Sequence, residues 1–307
     1  MLKYREGEAM KRELIKSSYP FGIIEYQKYL EYIHQKGPKK YKDMKSLIVF
    51  IYPFSNTLVK GKYLPAKFAY GKDYHQEVKE LIEDAIEDLK LTNYEIKVDV
   101  SSLKEKTCAY LAGLGLIGKN SLLINEKYGS YIAIGIVITD EVFNEYDRPI
   151  EGDYCKDCNR CIKACPNKAL SSDGLDKKKC LSYLNQSKST DYLFFDKMKY
   201  LYGCDICQDV CPYNKIEDYG LDSFLIDEEA YLSLEELKSM DEKEYLEKYQ
   251  DKTFNWIGYL PMVRNLLVLK VNNKDITKKE LEFFQEKHKS EKWFYDHIEY
   301  LKEKLDE

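Results

Sequence analysis

No stretch of this 307-residue chain approaches the ~18 consecutive apolar residues that a membrane-spanning helix needs. Its opening, MLKYREGEAMKREL, lacks the apolar core of a secretory signal, so the expected setting is the reducing cytoplasm, with no membrane partner. Net positive charge is missing too. At −5 the chain offers no global attraction to nucleic acid, and any such partner has to be met by a local basic patch. What is abundant is tyrosine, 28 residues scattered without a repeat, which suits the filling of half-buried surfaces. With 44% hydrophobic residues the chain can build true cores, and its length allows about two domains and an appendage.

Cysteine is concentrated rather than spread. Of nine, four form CxxCxxCxxxCP at Cys155, Cys158, Cys161 and Cys165, three form CxxCxxxCP at Cys204, Cys207 and Cys211, and Cys180 stands between the runs. Thiolates three residues apart can wrap one corner of an iron–sulfur cube, and the Cys-Pro that ends such a run serves the neighbouring cube. Seven thiols are one short of two sets of four, and Cys180 completes them. The reading is one 4Fe–4S cluster on Cys155, Cys158, Cys161 and Cys211 and a second on Cys165, Cys180, Cys204 and Cys207. Structural zinc favours paired CxxC knuckles instead, and a disulfide scaffold does not suit a reducing compartment.

Ahead of the cysteines, helical and strand patterns alternate. Residues 5–17 are charged and helix-compatible, and Tyr26 to His34 carries apolar residues at helical spacing. Ser46 to Phe54, Glu95 to Val100 and Tyr131 to Thr139 read as strands, while Asp73 to Leu89, capped by Asp73, and Leu103 to Leu111 read as helices. This predicts a mixed fold, α+β or α/β, with a sheet-centred domain over 1–150, a ferredoxin-like two-cluster domain over 151–220 and a helical tail over 221–307. In the tail, Ser233 with Glu236 reads as a capping box, and Met262 to Val271 as an amphipathic helix begun by Pro261. Thr277 to Lys287 and Glu291 to Lys304 follow, with Phe283, Phe284 and Trp293 in a stripe facing the body.

Gly113 to Ser121 imitates two nucleotide motifs. Gly113, Gly115 and Gly118 satisfy GxGxxG, and GLGLIGKN nearly satisfies the phosphate-loop pattern. Both motifs need a strand before the glycines and a helix after them, because the helix N-terminus binds the phosphate. The predicted order here is the reverse, and Asn120 fills the hydroxyl position. The glycines read as a tight turn whose backbone can approach something large and flat.

Two clusters pass single electrons, and a plain two-cluster carrier needs far less chain than this, so the excess favours an enzyme with an acceptor in residues 1–150. SLIVFIYPF, GKDYH at Gly71 to His75, AGLGLIGKNSLLI at Ala112 to Ile124, GSYIAIG at Gly129 to Gly135 and YGCDICQDVCPYNK together resemble the epoxyqueuosine reductase family. The resemblance implies a cobalamin enzyme related to reductive dehalogenases, fed by two 4Fe–4S clusters and an external low-potential donor. Its substrate would be epoxyqueuosine at the wobble position of tRNA, reduced to queuosine in the last step of that synthesis. It implies corrin contacts at Gly129, Ser130, Tyr131, Asp140, Ser182 and Gln186, and a catalytic acid whose matching position is Glu105, where the family carries Asp on the helix before the glycine turn. Glu keeps the carboxyl but reaches one methylene further.

Cys108, one helical turn on from Glu105, reads as packing or as a thiol near the cobalt, and His75 as a structural or cofactor-contact residue. Longer relatives carry HEAT-type repeats that grip tRNA, and Arg264 to Asn273 resembles the first such helix of a shortened array. Candidate phosphate contacts are the lysines at 36, 39, 40, 42 and 45, Lys177 to Lys179, and Arg264. The residues themselves leave two other readings open, a related cobalamin and iron–sulfur reductase acting on another small substrate, and a non-enzymatic electron carrier.

Overall fold

The computed structural model describes residues 9–55, 59, 61–99, 102–188, 192–214, 220–227 and 230–307. The front of the chain is organised on four strands, β1 (Phe21–Glu25), β2 (Ser46–Pro53), β3 (Tyr94–Val98) and an eight-residue strand at Ile132–Thr139, which pairs with both β2 and β3. Between them in sequence lies a small hairpin of β4 (Leu116–Ile117) and β5 (Leu123–Ile124), so Ile132–Thr139 is β6, and β7 (Leu170–Ser171) and β8 (Gly174–Leu175) form a second hairpin. The large sheet runs β1-β2-β6-β3 and every pairing in it is antiparallel, so of the two forms the sequence allows, α+β describes it.

Strand β2 is buried at every position, because both faces of the sheet are covered. Ile48, Phe50 and Tyr52 pack with Val78 and Ile82 of α2 (Tyr74–Ile86) on one face. Leu47, Val49 and Ile51 pack on the other with Tyr26 and Tyr29 of α1 (Tyr26–Tyr32) and Cys108 and Ala109 of α3 (Glu105–Leu111). A period of two with apolar residues at both phases gives this result. Gly135 of β6 lies under α2, where a Cβ would come 2.3 Å from Ile82, so the helix seats directly on the strand.

Among the described residues of 5–17 the expected first helix is not there. Residues 1–8 lie outside the described residues, Arg12–Leu14 make a single 3-10 turn, and Met10 and Ile15 are buried in the α2-side core. Hydrogen bonds from Arg12 to Asn144 and Asp147, beside an isolated bridge between Met10 and Phe143, hold the segment against the stretch that follows β6. Strand β1, which the sequence reading passed over, is five residues long and interrupted by Gly22, too short to show its alternation.

The cysteine segment carries only short helices, α4 (Arg160–Ala164), α5 (Leu181–Leu184), α6 (Tyr192–Phe195) and α7 (Ile206–Asp209). The tail contributes α8 (Leu234–Ser239), α9 (Glu242–Lys248), α10 (Tyr259–Asn272), α11 (Lys278–Lys287) and α12 (Lys292–Asp306). Helix α10 is not amphipathic. Met262, Val263, Leu266, Leu267, Val268 and Leu269 are all at most 1% exposed, and Arg264 and Asn265 are buried with them, because α10 is the axis round which the other tail helices and Phe195, Leu201 and Tyr202 pack. It starts at Tyr259 after Gly258, two residues ahead of Pro261. Phe283 is 45% exposed and stands outside the aromatic stripe. Phe224 packs into the sheet core against Phe54, so the chain past 221 does not leave the front half at once. No helix among the described residues is long and apolar enough to cross a membrane.

The Ser233 box does not form. Ser233 makes no side-chain cap, and Glu236 instead meets Lys248 and Tyr249. Complete boxes occur at Asp241 with Glu244 and at Thr277 with Glu280. Thr277→Ala is therefore expected to lower unfolding free energy by about 1 kcal/mol in denaturant titrations, while Ser233→Ala changes it by at most a few tenths.

Candidate active site

The two cysteine runs fold onto each other through α4 and α7, which pack together. Cys155, Cys158, Cys161 and Cys211 line one cavity with Lys119, Pro212 and Tyr213. Cys161 is raised by burial and then by the neighbouring Cys155 and Cys211, and Cys211 by burial and then by Cys155 and Cys158, so these four thiols surround a common space. Cys204 is pushed up to about 12 by burial, with Asp205, Cys180 and Cys165 adding to it. Cys207 is raised by burial, then by Cys204, Asp205, Cys180 and, across the gap, Cys161. The second group adjoins the first. Backbone N–H groups of Lys119 and Ala169 donate to Cys155 Sγ at 3.3 Å and Cys165 Sγ at 3.2 Å, the kind of contact that favours a charged sulfur.

Beside the second group opens a cavity of about 1410 Å³, beyond the roughly 300–1,000 Å³ of ordinary small-molecule sites. One wall is the entry to β6, with Ser130 and Tyr131. Ser182 and Gln186 close it near Cys180, and Gln208 near Cys207. Another part of the lining joins carboxylates to an imidazole and an aromatic ring. His75, in the first turn of α2, shares a hydrogen bond of 2.6 Å between Nδ1 and Asp73, and its Nε2 lies 3.6 Å from Asp99. Tyr74 stacks on the imidazole at 4.1 Å and donates to Asp99 at 3.0 Å. Burial would lower His75, but Asp73 and Asp99 outweigh it and hold the imidazole up at about 9. Asp99 itself is held below the usual carboxylate range, chiefly by His75, against the opposing effect of burial.

Residues 154–214 match the family model of the 4Fe-4S double cluster binding domain. The chain is 38% identical over 223 residues to the epoxyqueuosine reductase of Cyclobacterium marinum, an alignment covering 70% of this chain and 68% of that protein. The chain belongs to the epoxyqueuosine reductase family. With the Listeria monocytogenes member it shares 36% identity over 226 residues, 69% of this chain and 58% of the relative, so it spans less than two thirds of that protein's length. Among solved structures, the Streptococcus thermophilus epoxyqueuosine reductase superposes with a TM-score of 0.80 at 26% identity, covering 96% of this chain and 88% of that one. An epoxyqueuosine reductase crystallised with an epoxyqueuosine-modified tRNA stem loop gives 0.76 at 25%, covering 94% and 95%. The Bacillus subtilis enzyme, solved with an aspartate catalytic loop swung out of the active site, gives 0.78 at 25%, covering 93% and 86%.

Against this family frame the predicted residues divide. Ser130, Tyr131, Ser182, Gln186 and Glu105 all reach the large cavity. Gly129 stands behind its wall, where a Cβ would strike Asn214 at 2.1 Å; its φ of +66° and that close approach call for glycine. Asp140 is at the far end of β6, accepting from Asn93 at 2.8 Å; eight residues of strand at ~3.3 Å each carry it away from Ser130. The glycine turn does not face the cavity either. A Cβ on Gly113 would meet Arg148 O at 2.7 Å and one on Gly115 would meet Ile124 O at 2.3 Å, so these glycines make room for the protein's own backbone. Helix α3 precedes them and the β4–β5 hairpin follows, the reverse of a phosphate loop.

Cys108 is fully buried between α3 and the sheet, away from the cavity, and acts in packing. Arg264 is wholly buried, donating to Asn185 O and Ser187 O and lying over Phe195, which removes it as a phosphate contact. None of the lysines at 36–45 or 177–179 lines the cavity, and Lys40 is engaged by Glu95. The sequence reading missed Asp99. The signal was available, an acid at the end of β3 in a short loop before a helix.

Cys180→Ala is expected to cut iron in the reconstituted protein from about eight to about four per chain, while Cys108→Ala leaves it unchanged, measured by iron assay. The charge on His75 contributes stability in full below the unfolded pKa near 6.5 and loses it as pH rises through about 9. The stability gap between the unchanged chain and His75→Gln in urea titrations therefore narrows over that window.

Proposed function

We propose that this chain removes the epoxide oxygen of epoxyqueuosine in tRNA, using two 4Fe–4S clusters and cobalamin. The observation that carries the reading is the large cavity that adjoins the second thiol group and takes in a carboxylate–imidazole pair. Its size and its lining by Ser130, Tyr131, Ser182 and Gln186 fit a corrin and its side amides. When bound there, cobalamin supplies a strongly reducing centre able to accept electrons singly from the clusters. An external low-potential donor supplies those electrons to the clusters.

Opening an epoxide to an alkene with loss of water consumes two electrons and two protons. The protons come from the part of the lining that holds His75. His75 holds a proton at neutral pH, Asp73 fixes its Nδ1, and Asp99 stands at its Nε2 with a second anchor in Tyr74. Asp99 sits at φ +57°, a left-handed conformation that Asp tolerates better than most side chains. Asp99, rather than Glu105 at the start of α3, is the carboxylate that stands against that proton from a loop, as the catalytic loop of the Bacillus subtilis relative carries an aspartate.

Protein loaded anaerobically with both cofactors, given a strong reductant and tRNA bearing epoxyqueuosine, is expected to yield queuosine on digestion; no conversion despite bound cobalamin would remove the tRNA reading. Asp99→Asn should lower turnover about 10²–10⁴-fold without loss of either cofactor, and Glu105→Gln less than about tenfold. The reverse ranking would return the acid to Glu105.

A further inference from the structure

Trp256 is 66% exposed, the most exposed large hydrophobic side chain among the described residues, and it lies on the rim of the large cavity. It is not a loose surface residue. Its indole N–H donates at 2.7 Å to the hydroxyl of Tyr202, which is itself 1% exposed and packed against Phe254 and Phe68. Tyr202 in turn donates to Thr253 O at 3.4 Å, so the ring is pinned along its polar edge while most of its surface meets solvent. A tryptophan fixed in this way has already lost its rotamer freedom and offers a flat apolar face at no further ordering cost. The cavity lining also carries Lys104, a cation that suits a polyanion beside a flat ring, and Lys79, which is half exposed and paired with Glu83 at 3.8 Å.

We propose that Trp256 is a stacking platform for an unpaired nucleobase of the substrate RNA, next to the base that enters the cavity. The proposal rests on the tRNA reading above and names the contact through which the loop is held. Stacking on an aromatic face is the usual way proteins grip single-stranded loops, and it needs no global positive charge. Such a contact fits a chain whose net charge is −5 and whose Arg264 is buried out of reach.

The test uses the full chain with its clusters in place and no cobalamin, titrated with a labelled anticodon stem-loop RNA and with the same RNA made abasic in the loop. Trp256→Ala is expected to weaken stem-loop binding about tenfold or more and Trp256→Phe by no more than about threefold, with the abasic RNA insensitive to both. The chain has two tryptophans, so in a Trp293→Phe background the emission reports Trp256 alone, and it should be quenched by the stem loop and not by the abasic form. That emission decides the matter if Trp256→Ala fails to fold. Equal stem-loop affinity for Trp256→Ala, or unquenched emission at saturating RNA, overturns the proposal while leaving the tRNA reading intact. Lower hydroxocobalamin affinity in Trp256→Ala with unchanged RNA affinity assigns the ring to the cofactor's own base and also overturns it. Failure of the unchanged chain to bind either RNA removes the tRNA reading and the proposal together.

Discussion

One buried ammonium group joins the halves of this molecule. Lys67 is 6% exposed, and its Nζ donates to Asp209 at 2.8 Å and to the hydroxyl of Tyr131 at 3.0 Å, while its backbone N–H donates to Asp205 at 2.7 Å. Asp205 and Asp209 flank Cys207 in sequence, and Tyr131 lines the cavity, so a single side chain ties the thiol segment to the cavity wall. Removing one partner would strand buried charge, since a carboxylate as enclosed as Asp205, pushed up to about 6 by burial despite Lys67, has no water to turn to. Tyr131 and Tyr200 both donate to Asp209, and with Lys67 they outweigh burial and keep that carboxyl below its usual range. The geometry at the cavity wall is thus fixed by a satisfied polar network rather than by apolar packing, which tolerates more slack.

A second tie lies at the other thiol group. The lysine of the phosphate-loop lookalike, Lys119, donates from Nζ to the carbonyls of Lys156 and Cys158 at 2.6 and 3.1 Å and to Asn159 at 3.1 Å. Its backbone N–H reaches Cys155 Sγ. The glycines that bring it there are compact because Gly113 and Gly115 back directly onto carbonyl oxygens. A segment whose composition suggests phosphate binding therefore works as a clasp on the first cysteine loop, using the same attributes: small residues, exposed N–H groups and one long cation.

What the sequence made legible follows from where the chemistry is local. Cysteine spacing within a few residues carries its own geometry, and strands β2 and β6 announce themselves because eight successive positions are buried or nearly so. The same cannot be said of contacts set by tertiary placement. Asp140 was tied in sequence to the glycine and serine ahead of β6, yet an extended chain separates its two ends by the whole strand. Ser233 had the right partner three residues on, but Lys248 from the next helix offered Glu236 a charge and won it. Asp99 and His75 are 24 residues apart, in different elements, and nothing in either local pattern reveals that they meet.

That meeting has an electrostatic logic. His75 occupies the first turn of α2, where unpaired N–H groups and the helix dipole disfavour a cation. Asp73 answers as the helix cap, accepting the backbone N–H of His75 at 3.1 Å as well as its ring. Asp73 caps the helix and, with Asp99 from the neighbouring loop, holds the imidazole protonated against burial. Asp73 belongs to a helix end and Asp99 to the loop after β3, so the imidazole draws its two carboxylates from different elements. Both carboxylates raise the imidazole, so its charge depends on the two elements meeting at one ring.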